Sequence, residues 1–224
     1  MTLIIAAQGK SFVVLGADSR ETVEPRVSGF APMRVEVNIA QKIINVSPHS
    51  AVLICGDAGQ AQYVLHRFID DRDDVDADAS QIAEDFKEFC RQEARAVADV
   101  PKYPNYFPDY GFIIAGLDKS RGRFKIPKCY TLQSTQGFRM NYGKEGFALE
   151  GKPMLAYYLF EKHYERTDKE EPDALCELVG RTLYDTRRID GDVGGELKMA
   201  LIRPEGFDWV PDEDVQGRYI SDHW

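Results

Sequence analysis

Two apolar runs sit near the start of the chain, Leu3-Ile4-Ile5-Ala6-Ala7 and Phe12-Val13-Val14-Leu15-Gly16-Ala17, with the polar segment Gln8-Gly9-Lys10-Ser11 between them. Short continuous apolar runs around a polar, glycine-containing segment predict a hairpin with both strands buried. A second pair follows: Ala40-Gln41-Lys42-Ile43-Ile44-Asn45-Val46, the turn Ser47-Pro48-His49-Ser50, then Ala51-Val52-Leu53-Ile54-Cys55-Gly56. Between the pairs, Glu21 to Met33 carries two prolines and a glycine and reads as a loop or a broken hairpin. Gly56-Asp57-Ala58-Gly59 then opens a helix with Ala61, Val64, Leu65, Phe68 and Ile69 on one face.

Further on, Ser80 is placed to cap a helix carrying Ile82, Phe86, Phe89, Cys90, Ala94 and Val97 at helical spacing. Pro101 to Tyr110, rich in proline and aromatics, reads as a packed surface loop or a contact with another subunit. Strands are predicted at Gly111 to Leu117, near Phe124 to Ile126, near Lys128 to Gln133 and near Gly137 to Tyr142. Helix returns with Met154, Leu155, Tyr158, Leu159 and Lys162 on one stripe. Pro172 then suits the first position of a helix that faces Leu175, Leu178, Val179 and Thr182 inward. Gly191-Asp192-Val193-Gly194-Gly195 breaks the chain before a last strand, Glu196 to Ile202, and residues 204–224 show no clear period. The order is not βαβ alternation. It suits an α+β fold of two antiparallel sheets covered by helix pairs.

Composition narrows the class. A chain of 224 residues with 43% hydrophobic and 29% charged residues is long enough for one well-buried domain. Its net charge of −9 argues against a nucleic-acid surface. The acidic run Asp70 to Asp78 reads as a solvated loop. Cys55, Cys90, Cys129 and Cys176 are far apart, as are the four histidines, so no metal or other cofactor is expected and the cysteines read as core residues in a reducing compartment. No apolar run approaches the roughly 20 residues that span a bilayer, and nothing reads as a signal peptide, so the expectation is a cytoplasmic protein without membrane contact.

The first hairpin also carries chemistry. An initiator Met before a small residue such as Thr is usually trimmed, which leaves Thr2 as a free N-terminus. The hairpin then brings a hydroxyl, an amine and the Asp18 carboxylate close together; the plainer alternative is an edge hairpin whose Asp18 and Arg20 cap a turn. Taken with three other stretches, the chain resembles the β-type subunits of the proteasome and their bacterial relatives, which are N-terminal-nucleophile hydrolases. The residues that carry the resemblance are Thr2 with Gly16-Ala17-Asp18-Ser19-Arg20-Glu21-Thr22; Gln41-Lys42-Ile43; Ile54 to Gln62; and Asp190 with Gly194-Gly195.

The resemblance covers residues 1–203 as one domain, with 204–224 as a C-terminal extension, and implies a four-layer αββα sandwich. By the same likeness Thr2 is the nucleophile, Asp18 holds the active-site lysine, Lys42 is that lysine, Gly56 supplies the oxyanion-hole N–H, and Asp190 stands near the amine. Thr22 would pair with a substrate's backbone, and Ala40, Ile54 and Ala58 would line the specificity pocket, with Glu21 at its rim. The implied activity is a threonine endopeptidase that degrades peptide or unfolded protein inside a homo-oligomeric ring, with an ATPase unfoldase as a possible partner. Two serines of the family are absent: their regions read Leu149-Glu150-Gly151-Lys152-Pro153 and Val193. That departure keeps a catalytically silent structural subunit as one alternative, and an amidase for small amides as another.

Overall fold

A computed structural model describes residues 2–23, 35–37, 41–72, 74, 76–98, 109–143, 145–151 and 153–219; for 21–23, 35–37, 97, 98 and 153 it describes backbone only. The strands in chain order are β1 (Ile4–Gln8), β2 (Val13–Asp18), β3 (Glu21–Val23), β4 (Val35–Val37), β5 (Ile43–Ser47) and β6 (Ser50–Gly56). After the helices α1 (Ala58–Asp70) and α2 (Ala79–Ala98) come β7 (Tyr110–Ser120), β8 (Arg123–Gln133), β9 (Asn141–Tyr142) and β10 (Phe147–Glu150). Helices α3 (Pro153–Tyr164) and α4 (Pro172–Ile189) lead to β11 (Leu197–Arg203), β12 (Gly206–Trp209) and α5 (Asp212–Gly217).

The strands form two five-stranded antiparallel sheets, β10-β1-β2-β11-β12 and β5-β6-β7-β8-β9, with β3 and β4 as a separate pair. The fold is α+β. Both predicted hairpins form, and the apolar runs of β1, β2 and β6 are buried on both faces. One core cluster draws Ile4, Ala6, Val13 and Leu15 from the first sheet and Ala51, Leu53, Ile113 and Ala115 from the second. The alternate residues Leu3, Ile5 and Val14 pack with Phe160 and Leu175 of α3 and α4. On the other sheet Val52, Ile54, Phe112 and Ile114 pack with Leu65 and Phe86 of α1 and α2. Each of the Val, Leu, Ile and Phe side chains contributes about 1.5–3 kcal/mol by leaving water. No described helix is long and apolar enough to cross a membrane.

Several elements differ from the reading of the sequence. Glu21 to Met33 begins with β3, which pairs with β4 across residues 24–34; the latter lie outside the described residues, as do 101–108 of the aromatic loop. Ser80 does not cap α2 with its own hydroxyl. The carboxylate of Asp118 takes the Ser80 N–H at 2.9 Å and its hydroxyl as well, so the cap comes from β7. Ala94 is exposed, and Val97 lies outside the described side chains. The two strands expected around Phe124 and Lys128 are one, β8, which runs through Pro127. β9 reaches only Tyr130 and Thr131, so Pro127 lies where β8 is an edge strand, a position that proline tolerates. β10, too short to register as a strand, pairs with β1 along its whole length.

The largest difference is the face of α3. Met154 and Tyr158, on the expected stripe, are 87% and 67% exposed, whereas Ala156, Phe160 and Tyr164 are buried. This helix is apolar on several sides, so its pattern does not select a face; the Phe147 ring does, meeting Phe160 and Tyr164 at 5.0 Å each. Beyond Arg203 the chain is not featureless: β12 pairs with β11, and Val215 and Tyr219 join the core beside α4. The α3 result sets a test by chemical denaturation. Phe160→Ala should cost about 3–5 kcal/mol, while Tyr158→Ala should stay within about 0.5 kcal/mol of the parent.

Candidate active site

The register of β1 and β2 sets Ala17 opposite Ile4, so Asp18 arrives beside the start of β1. Its carboxylate accepts the Leu3 N–H at 2.9 Å through Oδ1, and the Gly194 N–H at 3.0 Å and Arg20 N–H at 3.3 Å through Oδ2. The fourth donor is Lys42, whose Nζ lies 2.9 Å from Asp18 Oδ1. Lys42 comes from the other sheet: its carbonyl accepts the Ile54 N–H at 3.0 Å, which continues the β5–β6 pairing to the residue before β5. Both side chains of the pair are essentially enclosed, at 2% and 0% exposure. The ammonium also donates to the Arg20 carbonyl, and the Thr2 hydroxyl approaches that same oxygen at 3.5 Å, a weak contact at the long edge of hydrogen bonding.

Thr2, Asp18 and Lys42 are therefore gathered in one buried group. Thr2 itself is 5% exposed, and its carbonyl is approached by Gly151: a Cβ there would stand 2.0 Å from the Thr2 oxygen. Gly151 has φ +97°, so both space and backbone conformation require glycine. Gly56 ends β6 at φ +82°, and a Cβ would meet the Asp109 carbonyl at 2.3 Å. That bend leads into α1, which Asp57 caps by accepting the Gln60 N–H at 3.1 Å.

The other expected positions fall as follows. Asp190 ends α4; its carboxylate accepts the Asp192 N–H at 2.9 Å, starting the loop whose Gly194 reaches Asp18. Ile54 is fully buried in the core shared with α1 and α2, and Ala58, the first residue of α1, is 7% exposed. Thr22 lies in β3 opposite Glu36, and Ala40 lies outside the described residues. A cavity of about 490 Å³ is lined by Ser19, Gln41, Glu196, Lys198, Trp209 and Asp212 among others, with none of Thr2, Asp18 and Lys42 in its wall. Among the described residues, no three His, Cys, Asp or Glu side chains are grouped to hold a metal ion.

Reading the sequence missed Glu150 as a buried titratable group, because a glutamate ending Phe147-Ala148-Leu149 looks like an exposed strand end. It stands opposite Ile4 of β1, is 8% exposed, and accepts a hydrogen bond from Gln133. Burial raises its pKa above the ordinary glutamate value, and hydrogen bonds from Gln133 and Thr131 partly offset the rise. The Glu150 charge in turn helps push the Cys55 thiol up to about 12, after burial and against the opposing charge of Lys42. Cys55 is therefore held as an inert thiol. All four cysteines are free and buried.

No family model matches the chain, and no curated protein is significantly similar to it.

Glu150 makes a testable difference to stability. Its folded pKa is raised, so the folded state binds the proton more tightly than the unfolded chain does. Stability must then fall as pH rises from the unfolded value of 4.5 through the folded pKa. Glu150→Gln removes this dependence: denaturation at neutral pH should find the variant relatively more stable than at pH 4. A parent–variant difference independent of pH would contradict the assignment.

Proposed function

We propose that the chain is an N-terminal-nucleophile hydrolase of the proteasome β type, a four-layer αββα sandwich acting as a threonine endopeptidase. The observation that carries this reading is the enclosed Asp18–Lys42 pair, whose ammonium shares the Arg20 carbonyl with the Thr2 hydroxyl. A buried lysine beside a threonine at a strand start has an evident chemical use, and an ion pair enclosed on both sides carries a desolvation cost that makes it a weak stabilising device.

In this proposal the Thr2 amine is the base. A free α-amine has a reference pKa of about 7.7–8.0, and a nearby ammonium lowers it, so that Lys42⁺ favours the neutral form at working pH. The amine takes the hydroxyl proton, Oγ1 attacks the substrate carbonyl, and the leaving amine departs with that proton. Water, deprotonated by the same amine, then hydrolyses the Thr2 ester. The Gly56 N–H would stabilise the oxyanion, at about 3 kcal/mol for one donor. Asp18 keeps Lys42 in place by its own three backbone donors. Substrate would lie as an extended chain beside Thr22, in an assembly of like subunits that excludes folded protein.

One observation favours the silent-subunit alternative. Where the family carries a serine before the glycine pair, Val193 is 1% exposed and packed into the core, so it offers no hydroxyl to the amine.

The reaction requires the Thr2 amine to be free. Intact mass should show loss of Met1 from part or all of the protein, and cleavage of peptide amides should scale with the trimmed fraction. An epoxyketone, which needs hydroxyl and amine to close its ring, should label the trimmed chain alone. Lys42→Ala should abolish cleavage, and Lys42→Arg should not restore it, because a planar guanidinium does not replace a compact ammonium. Fully trimmed protein that neither cleaves nor takes the label would leave the silent subunit as the answer.

A further inference from the structure

We propose that Arg20 is a positioning residue whose side chain clasps the loop after α4 against Asp18 and thereby holds the Asp18–Lys42 pair in register with Thr2. Its kinetic consequence rests on the peptidase reading; its structural consequence does not.

Three of the four donors to Asp18 come from segments fixed by strand pairing. Leu3 precedes β1, Arg20 lies two residues past the end of β2, and Lys42 adjoins β5. The fourth, the Gly194 N–H, comes from an irregular segment between α4 and β11. Within that loop the Asp192 and Val193 N–H groups bond back to Asp190, which shapes the turn without joining it to β2. Further along, Ser19 binds Glu196 twice, N–H to carbonyl at 2.9 Å and Glu196 N–H to Ser19 Oγ at 2.8 Å.

Between those anchors Arg20 makes the attachment to residues 191–194. Its N–H donates to the Gly194 carbonyl at 2.9 Å, and Nη1 donates to the Gly191 carbonyl. The guanidinium lies against Gly194 itself: a Cβ there would be 2.5 Å from Cζ and 2.6 Å from Nη2. Gly194 does not have the left-handed backbone of Gly56 or Gly151. Glycine at 194 leaves room that the Arg20 guanidinium takes, and a Cβ there would displace the guanidinium. Guanidinium suits this place because it is flat, stays charged and donates in a fixed plane.

Losing the side chain removes the Gly191 bond and the guanidinium packed on Gly194, so the loop is held at this point by the Arg20 N–H to Gly194 carbonyl bond, and the Gly194 N–H meets Asp18 Oδ2 less firmly. The carboxylate can then turn and take Lys42 with it. A displacement of that kind, near 1 Å, is enough to cost about a hundredfold in rate.

The test compares the parent with Arg20→Met, Arg20→Lys, Gly194→Ala and the Arg20→Met/Gly194→Ala double variant, as full chains. Hydrogen exchange of segment 190–196 should quicken in Arg20→Met and Gly194→Ala while β1, β2 and β11 keep their protection. In both, kcat on a peptide amide should fall about a hundredfold, with KM within about twofold of the parent. The double variant should lose no more than either single, because both changes remove the same contact. Arg20→Lys should fall between, since an ammonium can reach Gly191 but cannot lie flat on Gly194. Unchanged exchange at 190–196, faster exchange throughout the sheet, or additive losses in the double variant would each overturn the proposal. If the loop exchanges as expected in both singles but no form of the protein, parent included, cleaves peptides, the clasp stands and the peptidase reading falls.

Discussion

A single buried carboxylate organises one end of this molecule. An ionised group removed from water costs several kcal/mol unless its lone pairs are met, and Asp18 meets that demand from four directions. Each donor belongs to a different stretch: the entry to β1, the exit from β2, the loop after α4, and the approach to β5 in the second sheet. Apolar contact between the sheets is non-directional and would tolerate small slips. The Asp18–Lys42 pair does not, because removing either partner strands a buried charge, at a cost of about 3–5 kcal/mol. The geometry of the candidate site is thus a by-product of satisfying one charge.

The backbone around that charge is drawn unusually close, and three glycines mark where. Gly151 lets β10 pass under the Thr2 carbonyl, Gly56 lets β6 turn beside Asp109, and Gly194 makes space for the Arg20 guanidinium. The first two also need positive φ, while the third needs only the absence of a side chain. A Cβ at 151 would push against the Thr2 carbonyl, one at 56 against the Asp109 backbone, and one at 194 would displace the Arg20 guanidinium. Backbone groups pre-positioned in this way can meet a developing charge without reorganising, which is the property an acyl-transfer site needs.

Two carboxyls lie near Thr2 and differ in kind. Asp18 is surrounded by donors and an ammonium. Glu150 has an amide and a hydroxyl for partners, and burial favours its protonated form. The contrast bears on the proposed chemistry, because Glu150 directly precedes Gly151, which approaches the Thr2 carbonyl. A neutral Glu150 adds no charge against Lys42. An ionised one would oppose the effect of the ammonium on its surroundings, as the opposite influences of Glu150 and Lys42 on the Cys55 thiol illustrate.

What the sequence determined by itself was local. Runs such as Phe12 to Ala17 and Ala51 to Cys55 specify strands buried on both faces, and the stripes of α1 and α4 specify which way those helices turn. The nearness of Thr2 and Asp18 was likewise legible, since one hairpin joins them. Tertiary structure decided whatever depended on distant partners. On α3, apolar on more than one side, the inward stripe is chosen by Phe147; the cap of α2 is Asp118, 38 residues from Ser80; and Pro127 is allowed in β8 because β9 stops short. The resemblance pointed to Lys42, but its meeting with Asp18 needs the two sheets to pack, as does the contact of Glu150 with Gln133 17 residues away, while the hold of Arg20 on Gly194 needs β2 and β11 to pair. Hydrophobic period records which side of an element avoids water; it carries no record of which neighbour will supply a hydrogen bond there, and that choice is made only when the elements come together.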